Sequence, residues 1–326
     1  MARPALSGAR TIEILNFLTA HAGQAFTLTE IARRLDINLA SAHAVLAAMT
    51  EAGYLVRHPV HKTYELGPLL IPIGRAARER HRVVDIAREQ LEVLADELAL
   101  EGLVVGATSD ELVILERVGR PLPHGMVTTV GQRIRIVPPM GAMFVAFAQE
   151  PQVEEWMLRA ADENRSDEDD KAVVQKLHDI LAATRERGFT VGLQTVDRRR
   201  MRRALSELQE SPGSERARSE LEETVTGLGR VDTVLSAIEP RRSYQVAHVA
   251  SGVFDQHGNV SLALYLLGFG SPMTGAEVTE VGHQLLRDAL ERGANPLVSP
   301  IPLHQVPVAP GGDRRALAPH QRGGQH

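Results

Sequence analysis

The chain has 326 residues, enough for two domains with separate cores. It is 43% hydrophobic and 24% charged and has no cysteine, which excludes disulfides and thiolate metal sites and fits a reducing, cytoplasmic setting. Its net charge of −5 excludes an all-over basic coat, although residues 1–75 carry seven basic against five acidic side chains and the remainder 29 against 36. No apolar run approaches the ~18 residues of a membrane span. Glu13, Asn16 and Gln24 interrupt the place a signal-peptide core would take, so neither export nor a membrane partner is expected.

Ile12, Ile14, Leu15 and Leu18 recur at helical spacing, so residues 10–21 read as an amphipathic helix. After a short break come two close-set helices, 28–35 and 39–52. Two β-like segments follow, Tyr54–Arg57 and Thr63–Leu66, joined by a polar turn, and Leu66-Gly67-Pro68 closes this first unit (8–68). Residues 69–99 read as a linking helical stretch with a break near Pro72 and Gly74. Its stripe runs through Val84, Ile86, Leu91, Leu94 and Leu98.

The texture then changes. Residues 103–108 and 112–118 form one expected hairpin, 247–254 and 260–267 another, with further strands at 126–130, 133–137 and 189–196. Helices are expected at 139–148, 151–162, 171–187 and about 274–292. Residues 198–239 are charged, mostly helical sequence that reads as an insertion. The stretch 294–326, rich in Pro, Gly, Gln and His, reads as a disordered tail. The fold class is therefore a winged helix-turn-helix followed by an α+β domain (100–293) built on an antiparallel sheet.

The helix-turn-helix can be read position by position. Thr27-Leu28-Thr29-Glu30 has the form of a capping box, which fixes where the first of the two helices starts. Ile31, Leu35, Ile37, Ala42 and Val45 fall where the motif buries apolar groups, with Ala32 at the helix crossing. Asp36 occupies the tight turn, where a positive φ is expected and Asp is tolerated. Asn38 is a good N-cap for the third helix. In this geometry the start of the third helix enters the major groove, which presents Asn38, Leu39, Ala40, Ser41, His43 and Ala44 to DNA. Ser41 and His43 can reach base edges or phosphates; Leu39 and the alanines can meet thymine methyls. Thr29, Arg33 and Arg34 on the preceding helix, and Arg57, His58, His61 and Lys62 on the wing, are the candidate phosphate contacts. His58 and His61 lack a third ligand nearby, so no metal is assigned.

The sequence resembles the IclR family of bacterial transcriptional regulators. The resemblance rests on Arg10-Thr11-Ile12-Glu13-Ile14-Leu15, Leu28-Thr29-Glu30-Ile31-Ala32-Arg33-Arg34-Leu35, Gly53-Tyr54-Leu55 and Tyr64-Glu65-Leu66-Gly67. Leu115-Glu116-Arg117-Val118, Gly131-Gln132-Arg133, Arg187-Gly188-Phe189 and Val253-Phe254-Asp255-Gln256-His257-Gly258 extend it, more weakly, to about residue 292. It implies a GAF-like effector-binding domain, a homo-oligomer (dimer or dimer of dimers), a double-stranded DNA operator and a small organic effector. Leu39 and Ala44 depart from the basic residues usual in that family's recognition helix. Val137-Pro138-Pro139-Met140 replaces its polar stretch before the effector-domain helix, which points to a rather apolar effector. A pocket between the sheet and helix 139–148 is expected to use Met140, Gly141, Met143, Phe144, Ser251, Gly252 and Tyr265.

No enzyme signature is present: the sequence has no phosphate-cradling glycine loop, GxSxG elbow or HExxH, and no cofactor is assigned. The function expected is a DNA-binding transcriptional regulator whose operator affinity responds to an effector. The alternative is an interaction protein with a degenerate helix-turn-helix that no longer reads DNA, which the scarcity of basic residues over 39–44 keeps open.

Overall fold

The computed structural model describes residues 5–108, 110–119, 129–159, 167–194 and 234–293, with a few positions between 200 and 220. Residues 126–128 of the expected strand at 126–130, most of the stretch 198–239, and the tail 294–326 lie outside the described residues; 129–130 are described and are not strand. Of the arginine run 198–203, only Arg200 and Arg203 are described.

The N-terminal unit comprises α1 (Leu6–Ala20), β1 (Phe26–Thr27), α2 (Leu28–Arg34), α3 (Leu39–Glu51), β2 (Leu55–Arg57) and β3 (Thr63–Leu66). Its core gathers Ile14, Phe17 and Leu18 from α1, Ile31 and Ala32 from α2, Ala42, Leu46 and Met49 from α3, and Phe26, Leu55 and Tyr64 from the strands. A fully buried aliphatic side chain of this kind stabilises by roughly 1.5–3 kcal/mol before entropy is set against it. The wing has one more strand than the sequence suggests. Phe26–Thr27 pairs antiparallel with β3, Phe26 opposite Tyr64, giving the order β1-β3-β2. Two residues are too short for a period-2 pattern, so only the tertiary pairing reveals β1. Gly67 closes the unit because its N–H donates to the Tyr54 carbonyl at 2.7 Å, and a Cβ there would lie 2.4 Å from the Gly53 carbonyl.

The linking segment forms α4 (Leu70–Arg80) and α5 (Arg82–Glu97). The break falls at His81 (φ −114°, ψ 47°), not at Pro72 or Gly74. Pro72 occupies the first turn of α4, where its missing N–H would have had no intrahelical acceptor, so the ring is tolerated. No residue of α4 is buried, whereas α5 buries Ala87, Leu91, Leu94 and Ala95 along one stripe.

The larger domain is built on six antiparallel strands in the order β6-β5-β4-β10-β9-β7. These are β4 (Glu101–Ala107), β5 (Glu111–Gly119), β6 (Arg133–Arg135), β7 (Phe189–Leu193), β9 (Val246–Phe254) and β10 (Val260–Leu267); β8 (Ser243–Tyr244) pairs separately with β11 (Met273–Thr274). Strand alternation divides the domain into two cores. Val104, Leu262, Leu264 and Val249 face α5 and α9 (Gly275–Gly293). Leu103, Val105, Ile114 and Ala263 face α6 (Ala142–Val145), α7 (Glu150–Leu158) and α8 (Asp167–Arg187). The helix expected over 139–148 contracts to the four residues of α6. Gly141 precedes it at φ +82°, a left-handed geometry from which a helix starts only at Ala142.

Candidate functional site

Two sites emerge, one in each domain. In the N-terminal unit the helix-turn-helix is fixed by its caps. The Thr27 hydroxyl accepts the Glu30 backbone N–H at 3.3 Å, and the Glu30 carboxylate accepts the Thr27 N–H at 2.7 Å. Hydrogen bonds from Thr27 hold the Glu30 carboxyl below its ordinary value, aided by the nearby Arg34 and Arg33 charges. Asp36 takes φ +52° in the turn between α2 and α3. Asn38 then accepts the Ser41 N–H at 2.9 Å and starts α3. Leu46 and Met49 face the core, so that Leu39, Ala40, His43 and Ala44 stand exposed on the opposite face, with Ser41 half-buried beside them.

The basic residues around that face are not equivalent. Arg33 and Thr29 are exposed on α2. Arg34 instead lays its guanidinium 5.0 Å over the Phe26 ring and 5.9 Å from that of Phe17, so aromatic faces within the domain engage its charge. On the wing, Arg57 lies over Tyr64 at 5.5 Å, which leaves its N–H fork at the surface. The turn 58–62 is self-organised. His58 Nδ1 accepts the backbone N–H groups of Val60 and His61, the two imidazoles lie 4.6 Å apart, and Lys62 Nζ donates to the Pro59 carbonyl. Among the described residues no cluster of three or more metal-ligating side chains occurs.

A further residue, to which no sequence motif assigns a role, joins this surface. Arg10, near the start of α1, donates from Nη1 to Ser41 Oγ at 2.8 Å. The Arg10-Thr11-Ile12 run gave a family signal but no role, because the two residues are 31 positions apart and only the packing of α1 on α3 brings them together.

The second site is a cavity of about 70 Å³ between the sheet and the segment leading into α6. Leu103, Val105, Leu112, Ile114 and Ile134 form one wall, and Pro139, Met140, Gly141 and Met143 the other. The polar side chains in its lining are Thr190, His248 and Tyr265, the last two with rings 5.4 Å apart. Among the described residues, no Lys, Arg, Asp or Glu lines it. Of the expected pocket residues, Met140, Gly141, Met143 and Tyr265 are in the wall; Phe144, Ser251 and Gly252 are not. Ser251 pairs with Leu264, on the α9 face of the sheet, and donates to the Gly188 carbonyl at 3.2 Å. Gly252 lies behind the wall, where a Cβ would come within 3.1 Å of Met143. The wall is braced from outside: Trp156 donates its indole N–H to the Met140 carbonyl at 2.9 Å, and Arg159 donates to the Ile136 carbonyl at 2.8 Å.

A capped helix-turn-helix with a three-stranded wing, joined by a helical linker to an antiparallel sheet enclosing a small cavity, defines a two-domain winged-helix protein. Residues 7–59 match the model of the IclR helix-turn-helix domain. A probable HTH-type transcriptional regulator, ArcR, of Halobacterium salinarum is 27% identical over 128 residues, which are 39% of this chain and 46% of that relative. The match thus spans less than half of the curated relative's length. Among solved structures, an IclR transcriptional regulator from Alicyclobacillus acidocaldarius superposes with a TM-score of 0.61 at 22% identity, covering 89% of this chain and 98% of that one. An IclR homologue from Microbacterium hydrocarbonoxydans, complexed with 4-hydroxybenzoate, gives a TM-score of 0.54 at 18% identity over 87% and 98%. At these identities the likeness establishes the fold.

Proposed function

We propose that the chain is a transcriptional regulator that binds duplex DNA through α3 and the wing, with its affinity set by a small organic effector in the cavity of the larger domain. The observation that carries this reading is the exposed start of α3, held by Asn38 and flanked by Arg33, Arg57 and Lys62 at the surface. Side chains presented at that end of a recognition helix meet base edges, while the flanking cations meet phosphates. Binding to two half-sites requires a second copy of the chain. The exposed apolar side chains Leu69, Ile71 and Ile73 around α4, and Leu6 and Ile12 on α1, suit such a partner.

The cavity supports the effector half of the reading. Its lining is mainly apolar with a few polar groups, as ligand sites commonly are. The Microbacterium relative holds 4-hydroxybenzoate; here the absence of a cationic lining residue among the described residues favours a less polar molecule. Two contacts link this domain to the winged unit and its linker. Arg78 of α4 reaches Glu116 of β5 at 3.3 Å, and Gly131, just before β6, lies against Thr19 of α1. A ligand shifts DNA affinity only through its differential binding to two arrangements of these parts, typically ~1–3 kcal/mol.

The experiment is mapping of the genomic sites bound by the native protein. A shared sequence beneath them supports the reading. A second reading, an interaction protein whose helix-turn-helix no longer reads DNA, draws on the lack of any Lys or Arg within Leu39–Glu51. Absence of enriched DNA would favour it.

A further inference from the structure

The recognition helix carries no Lys or Arg of its own; the exposed Arg33 belongs to α2, and Arg57 and Lys62 to the wing. A guanidinium nevertheless stands on it. Arg10 crosses from α1 to donate to Ser41 Oγ at 2.8 Å, and Ser41 is itself pinned through its backbone by Asn38. Among the described residues Arg10 forms no ion pair. Burial pushes the carboxyl of Glu13, one turn further on, up from its ordinary value, and the Arg10 charge pulls against that rise. An arginine has five N–H donors in a rigid fork, and among the described residues the contact with Ser41 is the only hydrogen bond of this one. Its charge also sits beside the positive end of the α3 dipole, so the arrangement is relieved when an anion arrives.

We infer that Arg10 is the missing cation of the DNA-reading surface. One part of its guanidinium fixes the Ser41 hydroxyl, and the remaining N–H groups bind the duplex phosphate next to the base pairs Ser41 reads. The inference rests on the DNA-binding reading above and deepens it. Accepting from Arg10 turns the Ser41 O–H outward as a donor, so Ser41 is presented to a base acceptor such as a purine N7, guanine O6 or thymine O4. Arg10 then acts in two ways: as a phosphate contact it adds affinity on any duplex, and as a positioning residue it sets sequence preference at one step.

The test uses the full chain, the duplexes it enriches from a random-sequence pool, and one unrelated duplex of the same length. Arg10→Gln is expected to weaken binding to both kinds of duplex by roughly tenfold, the loss of one charge-assisted hydrogen bond. It should also lower the slope of log affinity against log salt by about 0.9. Arg10→Lys restores the slope, because the charge remains, but loses preference at the base pairs under Ser41, because the fork is gone. Wild-type slope and affinity in Arg10→Gln overturn the inference. So does weakened binding that tracks a lower melting temperature with an unchanged slope, which would make Arg10 a structural residue. Should Arg10→Gln fail to fold, Arg10→Lys with unaltered preference overturns it. If the wild-type chain enriches no duplex, the DNA-binding reading itself has failed, which is a separate result.

Discussion

Arg78, in the last turn of α4, bridges Glu116 on β5 at 3.3 Å and also pairs with Asp85 in the first turn of α5. One guanidinium thus ties the linker helix, the helix after the break and the sheet that walls the cavity. All three groups are at least partly exposed, so the network contributes little to stability, within about 1 kcal/mol. Its effect is on orientation. Arg78→Ala is expected to leave the melting temperature nearly unchanged while raising amide exchange across residues 70–85. Exchange equal to wild type would show that the bridge does not hold the linker.

The wing prediction concerns salt. Arg57→Ala combined with Lys62→Ala should weaken enriched and unrelated duplexes alike, and reduce the salt slope by about 1.8 if each residue neutralises one phosphate. Binding measured across a salt series checks this. An unchanged slope would remove the wing from the interface. Ser41→Ala and His43→Ala should instead change which duplexes are enriched, since side chains at base edges carry specificity.

Gly131 offers a test of communication between the domains. It adopts φ +84°, and a Cβ there would lie 2.6 Å from Thr19 Cγ2 on α1. Gly131→Ala is therefore expected to push the two domains apart and to blunt the effect of an effector on DNA affinity, while the cavity still binds it. Ligand binding by calorimetry, set against DNA affinity with and without that ligand, separates the two.

The cavity wall depends on Trp156. Trp156→Phe keeps the apolar bulk but leaves the buried side of the Met140 carbonyl without its 2.9 Å donor, a loss of about 1–3 kcal/mol. Thermal unfolding should show the lower stability, and amide exchange should rise over residues 140–146. A melting temperature equal to wild type would mean that the brace is dispensable.

Stability should fall in acid through three carboxylates. Hydrogen bonds from Thr27 and Thr274 hold Glu30 and Glu277 below the ordinary 4.5. Burial pushes Asp255 up, but N–H donors of Asn259 and His257 outweigh it and hold that carboxyl below its ordinary 3.8. A carboxyl depressed on folding contributes stability that is present above its unfolded value and lost as pH falls through the folded value. The loss should therefore begin below about pH 4.5. In Thr27→Ala the share due to Glu30 should shrink, with about 1 kcal/mol of helix-capping stability lost at neutral pH. Denaturant unfolding at several pH values checks both.

Local chemistry made much of this protein legible in its sequence. Thr27 and Glu30, Asp36 and Asn38 set the limits of α2 and α3 through interactions within a few residues. The same capping pattern in Thr274 and Glu277, which the sequence reading did not use, starts α9. Interactions between distant residues were decided only by the tertiary structure. The two-residue strand β1 exists because β3 is beside it, and the linker breaks at His81 because α5 must turn its apolar stripe onto the sheet. Arg34 is a candidate phosphate contact on sequence grounds, and only the fold adds that its guanidinium lies over the Phe26 ring. Along the sequence Arg10 belongs only to the motif that carries the family resemblance; the fold places it on Ser41. A sequence encodes caps and periods directly, because their partners are near neighbours along the chain. Which charge meets which ring or hydroxyl 31 residues away is settled by how α1 packs on α3.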